Sequence, residues 1–245
     1  VVLVFAQEAP EIEWARCYGG SASERAQSIQ NTPDGGFIIA GYTESNDGDV
    51  SGNHGGSDFW VVKLDSVGEL IWQKALGGSG HDKAFSIQET SDDGFIVAGY
   101  TESNDGDVSG NHGGSDFWVV KLNSIGELIW QNALGGSADD CAYSIQETSD
   151  GDFVVAGYTL SNNGDVTGFH GYSGSIYSDY WIVKLDSDGE LIWQNTLGGS
   201  GGDCAWSIQE TFDSGFIVSG NAENNDGDVS MDHYWDCWVV KLNSD

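Results

Sequence analysis

GFIVAGYTESNDGDVSGNHGGSDFWVVKLNSIG, residues Gly94–Gly126, returns with small changes in each quarter of the chain and decides the fold. Aligned on the tryptophan of its FWVVKL run, the copies fall at Trp60, Trp118, Trp181 and Trp238, spaced 58, 63 and 57 residues apart. A period of this size marks a repeat architecture, in which one supersecondary unit buries its apolar face only against its neighbours. With two prolines, 36 glycines, 10 tryptophans and no apolar stripe at helical spacing, the chain reads as all-β.

Within the second copy four strands are expected: a, Lys83–Glu89; b, Phe95–Thr101; c, Phe117–Leu122; and d, Glu127–Leu134. Asp93-Gly94 between a and b is a tight-hairpin signal, because glycine tolerates positive φ. Asn123-Ser124-Ile125-Gly126 fits a type I turn with glycine in the left-handed bulge position. The a–b and c–d connections are short and the b–c connection is long. Repeated four-stranded meanders point to propeller blades, whereas a β-solenoid uses shorter repeats with fewer reversals. The expected fold is therefore a four-bladed β-propeller of four-stranded antiparallel blades.

Three runs of the repeat, W-x-x-x-L-G-G-S-G-x-D, S-I-Q-E-T-x-D-x-G-F-I-V-A-G-Y-T and D-F-W-V-V-K-L-x-S-x-G-E-L, resemble the bacterial secreted β-propeller repeats called SBBP or delta-60-like. The resemblance spans Glu11 to Asp245 and implies a secreted or surface propeller. It implies no activity.

The 39 acidic and 8 basic residues leave a formal charge of −31, which opposes binding to nucleic acid or anionic membrane and favours solvated acidic loops or bound cations. Four of the basic residues are the recurring strand-c lysines Lys63, Lys121, Lys184 and Lys241, expected to snorkel toward nearby carboxylates. No segment reaches membrane-spanning length. Residues 1–10 admit two readings, a signal-peptide remnant ending in Val4-Phe5-Ala6 or a β-prone arm that adds to a neighbouring subunit. Residues 11–245 form one propeller domain, with repeats 11–68, 69–126, 127–189 and 190–245.

Glu11–Tyr18, EIEWARCY, aligns with strand d of the other copies, ELIWQKAL, ELIWQNAL and ELIWQNTL. The chain thus starts on d and ends on c, and Ile12–Tyr18 is expected to complete the blade holding Asp236–Leu242 and so close the ring. Counting outward from an Asp65–Glu69 pair sets Phe59 opposite Ala75, and the equivalent positions hold Cys237 and Cys17, an expected disulfide. Cys141 and Cys204 stand at equivalent positions of adjacent strands a, a second candidate pair. Paired cysteines and the absence of Cys-x-x-Cys point to an oxidising compartment and to a secreted, extracellular or cell-surface location. Counted by alternation, Trp60, Val62, Leu64, Leu70 and Trp72 share one face of a blade.

The b–c loops carry Asp47, Asp49, Asp58, Asp105, Asp107, Asp116, Asp165, Asp179, Asp226 and Asp228 among asparagines, serines and glycines. Oxygen ligands in this pattern suit Ca²⁺, although no bidentate glutamate ends the loop. The alternative is that Asp, Asn and Ser cap their own turns. His54, His112, His170 and His233 recur in the same loops, and a feature repeated four times is not the asymmetric constellation an active site needs. No nucleophile motif, P-loop or dinucleotide fingerprint occurs, so no catalytic residue is assigned and no enzyme is expected.

The leading functional expectation is a non-enzymatic structural propeller that assembles with copies of itself into an array or filament, with Ca²⁺ as its one candidate cofactor. The alternative is a carbohydrate- or protein-binding surface module, meeting glycans or cell-surface proteins through Tyr172, Tyr177, Tyr234 and Trp235.

Overall fold

The computed structural model describes residues 9–171, 174, 176–230 and 235–244. Val1–Ala6, Tyr172, His233 and Tyr234 lie outside the described residues. The first sheet is built from β1 (Glu24–Asn31), β2 (Phe37–Thr43), β3 (Asp58–Leu64) and β4 (Leu70–Leu76). The second holds β5 (Asp82–Glu89), β6 (Phe95–Thr101), β7 (Asp116–Leu122) and β8 (Leu128–Leu134). The third holds β9 (Asp140–Glu147), β10 (Phe153–Thr159), β11 (Asp179–Leu185) and β12 (Leu191–Leu197). The fourth has three strands, β13 (Cys204–Glu210), β14 (Phe216–Ala222) and β15 (Asp236–Leu242). Every sheet is an antiparallel meander in sequence order.

Two short turns, a–b and c–d, shape each four-stranded meander. Gly126 adopts φ +77° and the Asn123 N–H donates to Glu127 O at 2.9 Å, so the c–d turn is the one its sequence specifies. The a–b turn differs from the expected Asp-Gly hairpin. Asp93, not Gly94, takes the positive φ, at 65°, with its N–H donating to Thr90 O. Gly94 lies under the strand-c lysine, where a Cβ would stand 2.5 Å from Leu122 O.

A bulge past Leu64 changes the expected facing of strand d. Leu64 pairs with Leu70 but Lys63 pairs with Trp72, leaving Ile71 as the extra residue. A one-residue slip moves every later side chain to the other face. Trp72 therefore shares its face with Phe59, Val61 and Leu76, and Gln73 shares the face of Trp60, whose indole N–H it accepts at 2.9 Å.

The sheets stack in series, each laying one face on the next. Phe59 and Val61 of the first sheet pack with Trp118, Val120 and Leu122 of the second. Phe117 and Val119 of the second pack with Trp181, Val183 and Leu185 of the third. Tyr180 and Ile182 of the third pack with Trp238, Val240 and Leu242 of the fourth. One aromatic contact recurs at these junctions: Phe59–Trp118 and Phe117–Trp181 at 4.4 Å, and Tyr180–Trp238 at 4.7 Å. Phe59, Phe117, Trp118, Tyr180 and Trp181 are buried and Trp238 partly so, and rings buried in this way carry much of the core energy. Packing runs from first to second, second to third and third to fourth sheet, with none of comparable extent between fourth and first among the described residues.

The outer faces of the stack are only partly covered. Val239 on β15 is 55% exposed where its equivalent Val61 is 0%, and Ile29 on β1 is 63% exposed where Ile87 is 1%. Glu11–Tyr18 does not pair with β15; it forms no strand and lies on the outer face of the first sheet. There it copies the strand d of a preceding sheet. Trp14 meets Phe37 edge-on at 5.8 Å, as Trp72 meets Phe95 at 5.8 Å and Trp130 meets Phe153 at 5.9 Å.

Candidate functional site

At each junction the b–c and d–a loops meet at one end of the stack. The loop carboxylates act there as caps for the Gly-Gly-Ser backbone of the d–a loop. Asp105 Oδ1 accepts from Ser79 N at 2.7 Å and Asp107 Oδ2 from Gly77 N at 3.2 Å. Asp47 and Asp49 do the same for Ser21 and Gly19, Asp165 for Gly135, and Asp226 and Asp228 for Ser200 and Gly198. These are the turn-capping bonds open to short polar side chains.

The histidines join successive loops. His54 Nδ1 lies 2.8 Å from Asp58 Oδ2 and 3.9 Å from Asp107 Oδ2 of the next sheet. His112 lies likewise between Asp116 and Asp165, and His170 between Asp179 and Asp228. Burial pushes the carboxyls of Asp58, Asp116 and Asp179 up, and the bonds from their histidines pull them back. Asp58, Asp116 and Asp179 are each buried with Oδ1 lacking a hydrogen-bond partner. Among the described residues, no group of three or more His, Cys, Asp or Glu side chains is placed to hold a metal ion.

The lysines sit at the opposite end, on the a–b turns. Lys63 reaches Asp34 and Lys121 reaches Asp92, each at 2.8 Å, and Lys184 reaches Asp150 and Asp152 at 2.8 Å. The Lys184 bond, with one from Thr148, holds the Asp150 carboxyl at about 2.

All four cysteines are free thiols. The expected Cys17–Cys237 disulfide fails on register. Phe59 faces Leu76 and Trp60 faces Ala75, so Cys237 and Cys17 occupy positions on opposite faces of a blade. Cys141 is buried and Cys204 half-buried, and they are not bonded; burial pushes the Cys204 thiol up to about 12.

The fourth sheet carries an aromatic cleft of about 390 Å³ that the sequence reading only partly located. Of the four aromatic residues expected to bind ligand, Tyr177 and Trp235 are described, and both line it with Tyr143, Tyr158 and Trp206. Trp206 is 50% exposed and Trp235 56%. The Trp206 ring packs at a tilt against Tyr143 at 4.4 Å, Tyr143 packs at a tilt against Phe85 at 5.1 Å, and the Trp206 indole N–H donates to Asn221 Oδ1 at 2.7 Å. Trp235 takes φ 67°, a left-handed conformation that costs energy for a bulky side chain. Trp206 was legible as the third successive aromatic at one strand-a position, after Phe85 and Tyr143.

The bare end of the stack offers a second surface. Among the described residues β15 pairs with β14 alone, and beside it a cavity of about 280 Å³ is lined by Trp193, Phe216 and Leu242. At the other positions this seat is filled: Gly68 sits on Trp14, Gly126 on Trp72 and Gly189 on Trp130.

No family model matches the chain. Over 181 residues it is 26% identical to Regulatory protein FlaEY of Caulobacter vibrioides; the match covers 69% of this chain and 19% of that protein, so the chain spans about a fifth of the curated relative's length. Among solved structures, Sqt1 of Chaetomium thermophilum aligns at 12% identity and TM-score 0.34 over 83% of this chain and 57% of that one. The tail fibre of Staphylococcus aureus phage P68 aligns at 11% identity and TM-score 0.28 over 93% of this chain and 51% of that one.

Proposed function

We propose that the chain is a non-enzymatic structural protein, secreted or held at the cell surface, whose stacked sheets serve as propeller-type blades and whose ends join copies of it into an extracellular array or filament. One observation carries this reading: apolar side chains stand exposed on the outer faces of the stack, Val239 on β15 and Ile29 on β1 being the exposed counterparts of buried Val61 and Ile87. An apolar sheet face open to water loses its main stabilisation until it is covered. Calcium belongs to the same proposal as a stabiliser of the acidic loops, supported by the partnerless buried oxygens of Asp58, Asp116 and Asp179. Electron microscopy of the purified chain, with calcium and with chelator, tests it. Ordered filaments or sheets are expected. Dispersed single particles in both conditions at every concentration tried would discard the assembly reading.

The aromatic cleft favours a second reading, a carbohydrate-binding surface. Exposed Trp206 and Trp235 offer flat apolar faces beside the polar Asn221 and Glu223, a combination that suits sugar rings. Binding on a glycan array, lost in Trp206→Ala with the oligomeric state unchanged, is the expected result; no signal from the parent protein would discard it.

A further inference from the structure

The aromatic cleft between the third and fourth sheets is where the repeat is broken. We propose that it binds a quaternary ammonium cation, seated against the rings of Tyr158, Trp206 and Trp235 and drawn in by the carboxylate of Glu223. The inference rests on the reading of this cleft as a ligand site and puts a charged group in place of the sugar; the assembly reading has no part in it.

Four departures from the repeat converge on the cleft. Asn221 stands where the other sheets have Tyr42, Tyr100 and Tyr158, so one ring is lost and space opens. Trp206 takes the position of Gln27, Phe85 and Tyr143, and Trp235 that of Ser57, Ser115 and Ser178, so two indoles wall that space. The b–c loop of the third sheet is longer, His170 and Asp179 being nine positions apart where His54 and Asp58 are four, and it brings Ile176 and Tyr177 to the same cleft. Trp235 holds its place at φ 67°, a backbone strain that the serines at its position do not carry.

The chain itself shows what such a seat holds. At the junction of the first and second sheets the Lys83 ammonium lies over the Tyr42 ring, 4.8 Å from its centroid. The same two positions between the third and fourth sheets are Cys204 and Tyr158, and both line the cleft. A thiol supplies no cation there, so the cation comes from a ligand. The faces of Trp and Tyr rings carry the negative side of the ring quadrupole and attract such ions.

Charge selects a cation over a neutral ring. Glu223, 4% exposed, lines the cleft, and among the described residues no Lys, Arg or His does. The formal charge of −31 adds attraction at longer range. Hydrogen bonding selects the quaternary form. Asn221 Oδ1 already accepts the Trp206 indole N–H at 2.7 Å, and Glu223 Oε2 the Gly202 N–H at 3.1 Å. A primary ammonium among these rings would hold N–H groups short of acceptors, which is costly, whereas a quaternary one has no donor to satisfy.

Isothermal titration of the purified chain with choline, at moderate salt, tests the site. Neohexyl alcohol serves as the uncharged isostere, Nα-acetyl-lysine amide as the primary ammonium and N-acetylglucosamine as the sugar. Saturable choline binding is expected, at least ~10-fold tighter than that of the isostere. Trp206→Ala, at a half-exposed position, should weaken it at least ~10-fold with the thermal midpoint kept. Cys204→Lys sets the chain's own ammonium on Tyr158, as Lys83 is set on Tyr42, and should abolish choline binding. An isostere bound as tightly as choline would make the cleft merely apolar and overturn the proposal, and a lysine amide bound as tightly would overturn the quaternary form. Choline binding indifferent to both variants would be attraction to an acidic surface at large, and would overturn it too. N-acetylglucosamine bound with choline unbound would return the cleft to a sugar; no saturable binding of any probe would remove the ligand site on which the inference rests.

Discussion

The indole of Trp14 rests on Gly68, its Cζ3 2.9 Å from the point where a Cβ would stand, and Trp72 rests on Gly126 at the same distance. Both glycines take positive φ, +76° and +77°, so sequence and packing demand glycine for two separate reasons. A control separates them, because Gly151 has φ +87° with nothing within 4 Å of its Cβ position. Gly151→Ala should cost about 1 kcal/mol, the left-handed backbone term alone. Gly126→Ala should cost about 2–4 kcal/mol, because the ring of Trp72 must also move. Urea midpoints of the two variants give the comparison, and equal losses would mean that the turn does not anchor the tryptophan.

The lysine ends of the blades predict an acid limb. Burial raises the Asp92 carboxyl, but the bonds from Lys121, Thr90 and the Gly94 N–H outweigh it and hold the group at about 2. A carboxyl lowered in the folded state contributes stability above its ordinary value of about 4, and that contribution is lost as the pH falls through its folded value. Lys121→Met should return Asp92 toward the ordinary carboxylate range. A carbon-detected NMR titration reads this directly; an unchanged Asp92 midpoint would show that the lysine is not its partner.

The loop ends predict the opposite slope. Burial pushes Asp140 up to about 6, against bonds from the Gly136 N–H and Ser161 Oγ. A carboxyl raised in the folded state favours folding below its ordinary value, and the advantage drains away as pH rises through the folded value. Asp140→Asn removes the buried charge and should stabilise by about 1–3 kcal/mol at pH near 7.5, with no gain near pH 4. Chemical denaturation at both pH values decides it. A loss at neutral pH would mean that the charge is compensated, as a bound cation would compensate it.

The strands were legible almost to the residue: the expected Phe95–Thr101 is β6, and Phe117–Leu122 is β7 less its first residue. Apolar alternation between turn residues carries that much. The expected pairing of Ile12–Tyr18 with Asp236–Leu242 is not made; the segment rests on the first sheet through Trp14 instead. Alternation cannot see a bulge. Ile71 adds one residue to the count, so Trp72 was assigned to the wrong face and Cys17 to the wrong neighbour. The cleft was half visible because Tyr177 and Trp235 stand in aromatic loops, whereas Trp206 looks like an ordinary strand residue until Phe85 and Tyr143 are placed beside it.

The same bulge yields a prediction for the thiols. In a blade, the positions of Cys17 and Cys237 lie on opposite faces, and in the lone chain both side chains are exposed. Cys141 is buried, and burial pushes its thiol far above the ordinary range; only the thiolate reacts. Without any reductant, the protein should therefore titrate with a thiol reagent as two fast groups, Cys17 and Cys237, with Cys141 reacting only on denaturation. Peptide mapping after a brief pulse of iodoacetamide assigns them. If Cys17 and Cys237 stay unlabelled until reductant is added, they are bonded to each other, and strand d must then join β15 one residue out of the register that the three internal hairpins share.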